Sequence, residues 1–142
     1  MQILTILSAL LLSGSALAIR ATYDNTYDNP HGSMNSVACS NGENGLVGRF
    51  PTFHDVPNFP YIGGASAIEG WNSPQCGSCW RISYKDKSIY VTAIDFAGDG
   101  FNLSQEALDD LTGNNAVKLV IAKDGRYSSK SCKLLRTTSM DL

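Results

Sequence analysis

The stretch Gln75-Cys76-Gly77-Ser78-Cys79-Trp80-Arg81-Ile82-Ser83-Tyr84 decides how the chain is read, because it holds half of the cysteines and launches the clearest strand. Trp80, Ile82 and Tyr84 fall on one face and Arg81, Ser83 and Lys85 on the other, the period of two that predicts a half-buried strand. The cysteine pair in front of it has to be explained by redox chemistry, zinc, nucleophilic catalysis or disulfides.

Three of these fail on what surrounds the pair. A thioredoxin-like site puts its Cys-x-x-Cys at a helix N-terminus, where the dipole lowers the thiol pKa, whereas here the pair leads into a strand. A structural zinc would need Cys39 and Cys132 as well, and those two stand alone rather than in a second knuckle. Cys-Gly-Ser-Cys-Trp also matches the surroundings of a papain-type nucleophile, but that chemistry needs a following helix and a downstream histidine. His31 and His54, the two histidines, both precede Cys79. Disulfides remain, and no pattern asks for a metal or a cofactor.

The N-terminus agrees. Residues 1–18 carry no charged side chain, run apolar from Ile3 to Leu12 and end in Ala16-Leu17-Ala18, which reads as a secretory leader with a small-residue cleavage site. The run is too short to span a bilayer, and no later one approaches the length of a membrane helix. The expected localisation is therefore secreted, extracellular or in the cell wall. Beyond the leader lie about 124 residues, the size of one domain with one core. Four cysteines in a secreted chain of this size predict two disulfides, with three pairings open.

A net charge of −2 argues against nucleic acid as a partner, since phosphate binding needs a basic footprint. The balance hides an asymmetry: Lys118, Lys123, Arg126, Lys130, Lys133 and Arg136 crowd residues 118–136 against one acid, Asp124. This is read as a solvated tail.

Along the chain, Arg20 to Tyr27 suggests a first strand closed by a turn at Asp28-Asn29-Pro30. Residues 35–48 read as loop pinned by Cys39. Pro51, Pro57 and Pro60 interleave with Phe50, Phe53 and Phe59, so no regular helix or central strand runs there. Gly63-Gly64 suggests a tight turn or close backbone approach. Lys85-Asp86-Lys87 turns into a hairpin partner in which Ile89, Val91 and Ala93 alternate with Tyr90, Thr92 and Ile94, and Asp95 ends that strand. One helix is signalled, with Ser104 as N-cap, a Leu103–Leu108 staple, Glu106 in the first turn, a stripe of Ala107, Leu108 and Leu111, and Gly113 after its end. Val117, Leu119 and Ile121 alternate as another strand, and Lys123 to Arg126 is a candidate turn. Short strands with one helix and long loops point to a small closed β-barrel.

Taken together, several stretches resemble the cerato-platanin family of small secreted fungal proteins. They are Tyr23-Asp24, Tyr27-Asp28, Ser36-Val37-Ala38-Cys39-Ser40, Phe59-Pro60-Tyr61-Ile62-Gly63-Gly64, Ile68-Glu69-Gly70-Trp71-Asn72-Ser73, Cys76-Gly77-Ser78-Cys79-Trp80, Ala93-Ile94-Asp95 and Gly100-Phe101-Asn102-Leu103-Ser104 with its helix to Gly113. The resemblance implies a mainly β fold, a six-stranded double-psi β-barrel with one or two short helices, spanning residues 19–133. It implies the disulfides Cys39–Cys76 and Cys79–Cys132. It also implies a non-catalytic protein that binds chitin or N-acetylglucosamine oligomers, acts on cell-wall polysaccharide, meets a plant-surface target as an elicitor of defence, and self-assembles. The chain departs from the family pattern after Lys118, where it is shorter and more basic, and residues 134–142 form an atypical tail.

Several residues are candidate sugar contacts. Asp95, at the end of an apolar strand, offers an acceptor at the barrel mouth. Tyr27 and Asp28, with Asp24, stand near the first turn. Asn102 precedes the helix and opens a sequon, Asn102-Leu103-Ser104, which the Ser104 cap is expected to leave unmodified. Trp71, among Gly70, Asn72 and Ser73, is a candidate stacking ring, while Trp80 is assigned to the core. Glycoside hydrolysis needs two carboxylates flanking the bond, and no spacing pairs Asp99 or Glu69 with Asp95. Weak hydrolase activity and a purely surface-coating role are the alternatives.

Overall fold

The computed structural model describes residues 19–118 and the strand at 126–129. Six strands, β1 (Ala21–Tyr23), β2 (Ile62–Ala65), β3 (Cys79–Tyr84), β4 (Lys87–Phe96), β5 (Phe101–Leu103) and β6 (Arg126–Ser129), and one helix, α1 (Gln105–Thr112), are joined by long loops with three short 3-10 turns. The strands make one sheet in the order β1-β5-β2-β4-β3-β6, a mainly β half-barrel with β1 and β6 at its ends. β1 runs parallel to β5 and β2 parallel to β4, and the remaining pairs are antiparallel.

The β3–β4 hairpin forms where the alternation predicts it. Tyr84 pairs with Lys87, so the connection is Lys85-Asp86, and Lys85 takes the left-handed conformation at φ 53°. On β3, Trp80 and Ile82 are buried and Arg81 is exposed, as the period requires. β4 departs from its pattern. Tyr90 faces solvent, but Val91, Thr92, Ala93 and Ile94 are all buried, so both faces of β4 are covered there, and α1 packs against the strand. A strand covered on both faces loses the outward half of its alternation. β4 also runs one residue past Asp95, to Phe96.

The first strand is shorter than expected. It stops at Tyr23, because the Asp24 carboxylate accepts from the Thr26 N–H at 2.8 Å and turns Asn25–Asp28 into a 3-10 turn. The double glycine is strand rather than turn. Gly63 pairs with Leu103 on β5 and Ala93 on β4, and a Cβ there would stand 2.3 Å from the Asn102 carbonyl oxygen. Close backbone approach, one of the two readings of these glycines, is therefore the reason for them.

Helix α1 matches its signals. Ser104 Oγ accepts from the Ala107 N–H at 3.2 Å, Ala107, Leu108 and Leu111 are buried, and Gly113 closes the helix at φ 68° and ψ 53°. The expected strand from Val117 does not begin there: Val117 lies exposed in a turn, and Leu119 and Ile121 fall outside the described residues. The candidate turn at Lys123 is likewise outside them as far as Gly125, and Arg126 instead opens β6, whose Tyr127 pairs with Ile82.

One core runs through the described domain, with Met34, Phe53, Ile62, Ile68, Ile94 and Leu108 fully buried. The prolines keep residues 50–60 irregular, and Phe53 is the aromatic tucked furthest in. Cys39 and Cys76 form a disulfide across a separation of 37 residues, a loop whose closure stabilises by about 4 kcal/mol in chain-entropy terms. Cys79–Cys132 lies outside the description, since residue 132 is not among the described ones; no described cysteine is free.

Candidate functional site

Asp95 sits at the centre of a three-way junction. Its Oδ1 accepts from the backbone N–H of Ala38 at 2.9 Å and of Phe96 at 2.8 Å, and its Oδ2 accepts from the Tyr27 hydroxyl at 2.9 Å. β4, the Tyr27 turn and the loop leading into the Cys39 disulfide are thus tied to one carboxylate. A carboxylate has about four acceptor positions, so roughly one remains for a ligand hydroxyl.

Tyr27 is buried, and that burial, with the Asp95 charge and hydrogen bond behind it, pushes its phenol far above the ordinary tyrosine range. A folded pKa above the unfolded one contributes stability that is complete below the unfolded value, near pH 10, and is lost as pH rises beyond it. We expect the urea midpoint to fall between pH 9 and pH 11 and the fall to shrink in Tyr27→Phe. An equal fall in both proteins would remove Tyr27 as its source.

Asp95 pairs across the sheet with Gly64, Gly64 pairs with Asn102, and Asn102 pairs with Thr22. These four positions form one row over β4, β2, β5 and β1, with Asp95 and Asn102 two strand spacings, roughly 10 Å, apart. Asn102 is therefore the middle residue of β5, just ahead of the helix cap. Its Oδ1 accepts from the Thr22 hydroxyl at 2.9 Å, which leaves the amide N–H groups as donors. Asn102 and Thr22 line an open depression of about 400 Å³ together with Arg20, Phe96, Ala97, Gly98 and Asp99. A cation, a carboxylate, an amide and a hydroxyl surround an aromatic ring that is 52% exposed. Sequence reading missed Phe96 and Arg20; the available signal was an aromatic at the strand end immediately before the Ala97-Gly98-Asp99-Gly100 turn.

The other candidates go elsewhere. The Asp28 carboxylate accepts from the N–H groups of Gln105 at 2.8 Å and Glu106 at 3.0 Å, so it caps the first turn of α1, where the dipole favours an anion. Asp28 lines a second open depression, of about 450 Å³, with Tyr61, Glu106, Asp109 and Asp110. There Asp109 accepts from Ala116 N–H and Asp110 from the Tyr61 hydroxyl, whose pKa burial and Asp110 raise. Trp71 is 64% exposed, with its indole N–H donated to Asn41 Oδ1 at 2.8 Å, whereas Trp80 is buried in the core. The sequon hydroxyl, on Ser104, is fully buried and donates to the Pro60 carbonyl oxygen. Among the described residues no group of His, Cys, Asp and Glu could hold a metal ion, and no helix is long and apolar enough to cross a membrane.

The six-strand order and the Asp95 row can be set beside known proteins. The cerato-platanin family model matches residues 19–134. This chain belongs to the cerato-platanin family. Allergen Asp f 15 of Aspergillus fumigatus is 54% identical over 104 residues, covering 73% of this chain and 68% of that one. The protein named cerato-platanin from Ceratocystis fimbriata f. sp. platani is 42% identical over 108 residues, covering 75% and 80%. Among solved structures, cerato-platanin 2 from M. perniciosa superposes with a TM-score of 0.76 at 51% identity, over 80% of this chain and 94% of that one. The solution structure of the fungal elicitor cerato-platanin gives 0.72 at 36% identity, over 79% and 92%. The mainly β, six-stranded class implied by the motifs is borne out by these cerato-platanin structures. The names of these relatives describe an allergen and an elicitor, and none describes an enzyme.

Proposed function

We propose that this cerato-platanin is a secreted, non-catalytic carbohydrate-binding protein that takes chitin or N-acetylglucosamine oligomers, acts on cell-wall polysaccharide and elicits plant defence. The observation that carries the reading is the depression around Phe96, lined by Asn102 and Thr22 from the polar row, with Asp95 further along that row and outside the lining. Sugars present hydroxyl and amide groups at their edges and C–H groups on their faces, so a ring flanked by both donors and acceptors suits them. Gly64, in the middle of the row, puts no side chain between Asp95 and Asn102. The elicitor part rests on the solved relative described as one, and secretion rests on the leader at residues 1–18. Hydrolysis is disfavoured because, among the described residues, Asp99 is the single carboxylate lining the depression, and glycosidases need two.

Calorimetry or NMR titration with N-acetylglucosamine oligomers tests the reading. Asn102→Ala and Phe96→Ala should each weaken binding roughly tenfold, the loss of one hydrogen-bonding group or one stacking face, while incubation with chitin releases no reducing ends. Absence of binding in the parent protein would leave the surface-coating role, and steady release of reducing ends would make it a hydrolase.

A further inference from the structure

The loop after Cys39 contains two Asn-Gly dipeptides three residues apart, Asn41-Gly42 and Asn44-Gly45. Glycine leaves its own nitrogen unhindered, so that nitrogen can attack the preceding asparagine side chain; the two sites share composition and differ in what the fold does to them.

Asn44 is clamped. Its backbone N–H donates to Asn72 Oδ1 at 2.9 Å, its side-chain amide donates to the Asn72 carbonyl at 3.0 Å, and the nitrogen that would attack it, Gly45 N–H, is donated to the Gly42 carbonyl at 3.1 Å. Asn41 is exposed, and among the described residues its neighbouring Gly42 N–H donates to no other group. Among the described residues the Asn41 side chain has one hydrogen bond, from Trp71 Nε1 to its Oδ1 at 2.8 Å. An indole nitrogen only donates, so the carbonyl oxygen of the amide faces it and the amide nitrogen is left outward.

We propose that Asn41 is a self-modifying position, converted to a carboxylate through attack by Gly42 N with the Trp71 indole N–H as oxyanion donor, while Asn44 stays intact. Gly42 N gives its proton to solvent base and bonds to Asn41 Cγ. The negative charge develops on Oδ1, where the indole donor already points, and a donor placed at a developing oxyanion lowers the barrier. The Cγ–Nδ2 bond breaks, the amide leaves as ammonia with a proton from water, and a cyclic imide remains. Water adds to either imide carbonyl and reopens the ring to aspartate or isoaspartate. One water is consumed and one ammonia released, with no change of oxidation state. The aspartate product keeps an acceptor for Trp71 and adds a negative charge beside an exposed aromatic. The isoaspartate product inserts a methylene into the main chain two residues from the Cys39 staple and draws that acceptor away from the indole.

The folded protein is held in mildly alkaline buffer and both sites are followed by peptide mapping, alongside the reduced, unfolded chain. In the folded protein Asn41 should convert roughly tenfold faster than Asn44, the ratio expected when two hydrogen bonds must open at one site and none at the other. In the unfolded chain the two rates should be comparable. Trp71→Phe, at an exposed position where circular dichroism confirms the fold, should slow Asn41 several-fold in the folded protein and leave the unfolded rate unchanged. Asn44 keeping pace with Asn41 in the folded protein overturns the proposal, and so does an Asn41 rate undiminished in Trp71→Phe.

Discussion

Replacing Asp95 with alanine should lower the free energy of unfolding by about 3 kcal/mol, a large share of the roughly 5–15 kcal/mol that holds a domain of this size together. Three donors lose their acceptor at once, and one of them, the Tyr27 hydroxyl, belongs to a buried residue. Asp95→Asn should cost about 1 kcal/mol, because a carbonyl oxygen can still face Ala38 N–H while the new amide donates to the Tyr27 oxygen. Urea denaturation of the three proteins separates these values. A loss below about 1 kcal/mol in the alanine variant would mean that the junction adds little. The asparagine variant is also the better instrument for sugar binding, since it removes the charge without dismantling the junction.

An effect of similar size is expected at Gly63→Ala. The added methyl would meet the Asn102 carbonyl oxygen at 2.3 Å and Leu103 Cα at 2.7 Å, both main-chain atoms that no rotamer change can move. Overpacking costs about 1–3 kcal/mol where side chains can adjust. Here relief requires β2 and β5 to part, so a loss of about 3 kcal/mol or a failure to fold is expected, with Asn102 displaced from the row. Hydrogen exchange at Asn102 and Leu103 reads the same event locally. Native-like protection in a stable Gly63→Ala protein would show that the sheet has slack.

What could be read in the sequence was local. Helix α1 announced itself because cap, staple and closing glycine lie within ten residues of one another, and the β3–β4 hairpin because a turn sits between two alternating runs. β2 was hidden, since Gly63 clears the main chain of β5 some 39 residues on and Gly64 clears the main chain of β4 at Phe96, and nothing about Gly63 names Asn102. β5 has three residues, too few for a period, and β6 has almost no apolar character. The site divides in the same way. Burial of Trp80 followed from its alternation with Ile82, whereas the neighbours of Trp71 left its exposure open. The partners of Asp95 come from 57 and 68 residues away, and the bonds from Asp28 to the helix span 77 and 78. Only the folded chain brings those groups together. The Asp28 case is the most instructive, because nothing beside Asp28 in sequence announces that its carboxylate caps a helix 77 residues on.

The parallel pairing of β1 with β5 sets a clock on biosynthesis. Ala21 finds its partner at Phe101, 80 residues later. At roughly 5–20 residues per second, a ribosome needs about 4–16 s to supply that partner after β1 has been made. Through that interval an edge of the future sheet waits unpaired, with β2, β3 and β4 already available. A three-residue edge is a poor template for pairing with a neighbouring chain, so the brevity of β1 limits what the delay can do. The strand made first is among the last to be secured, and the depression that Thr22 and Asn102 share is completed only then.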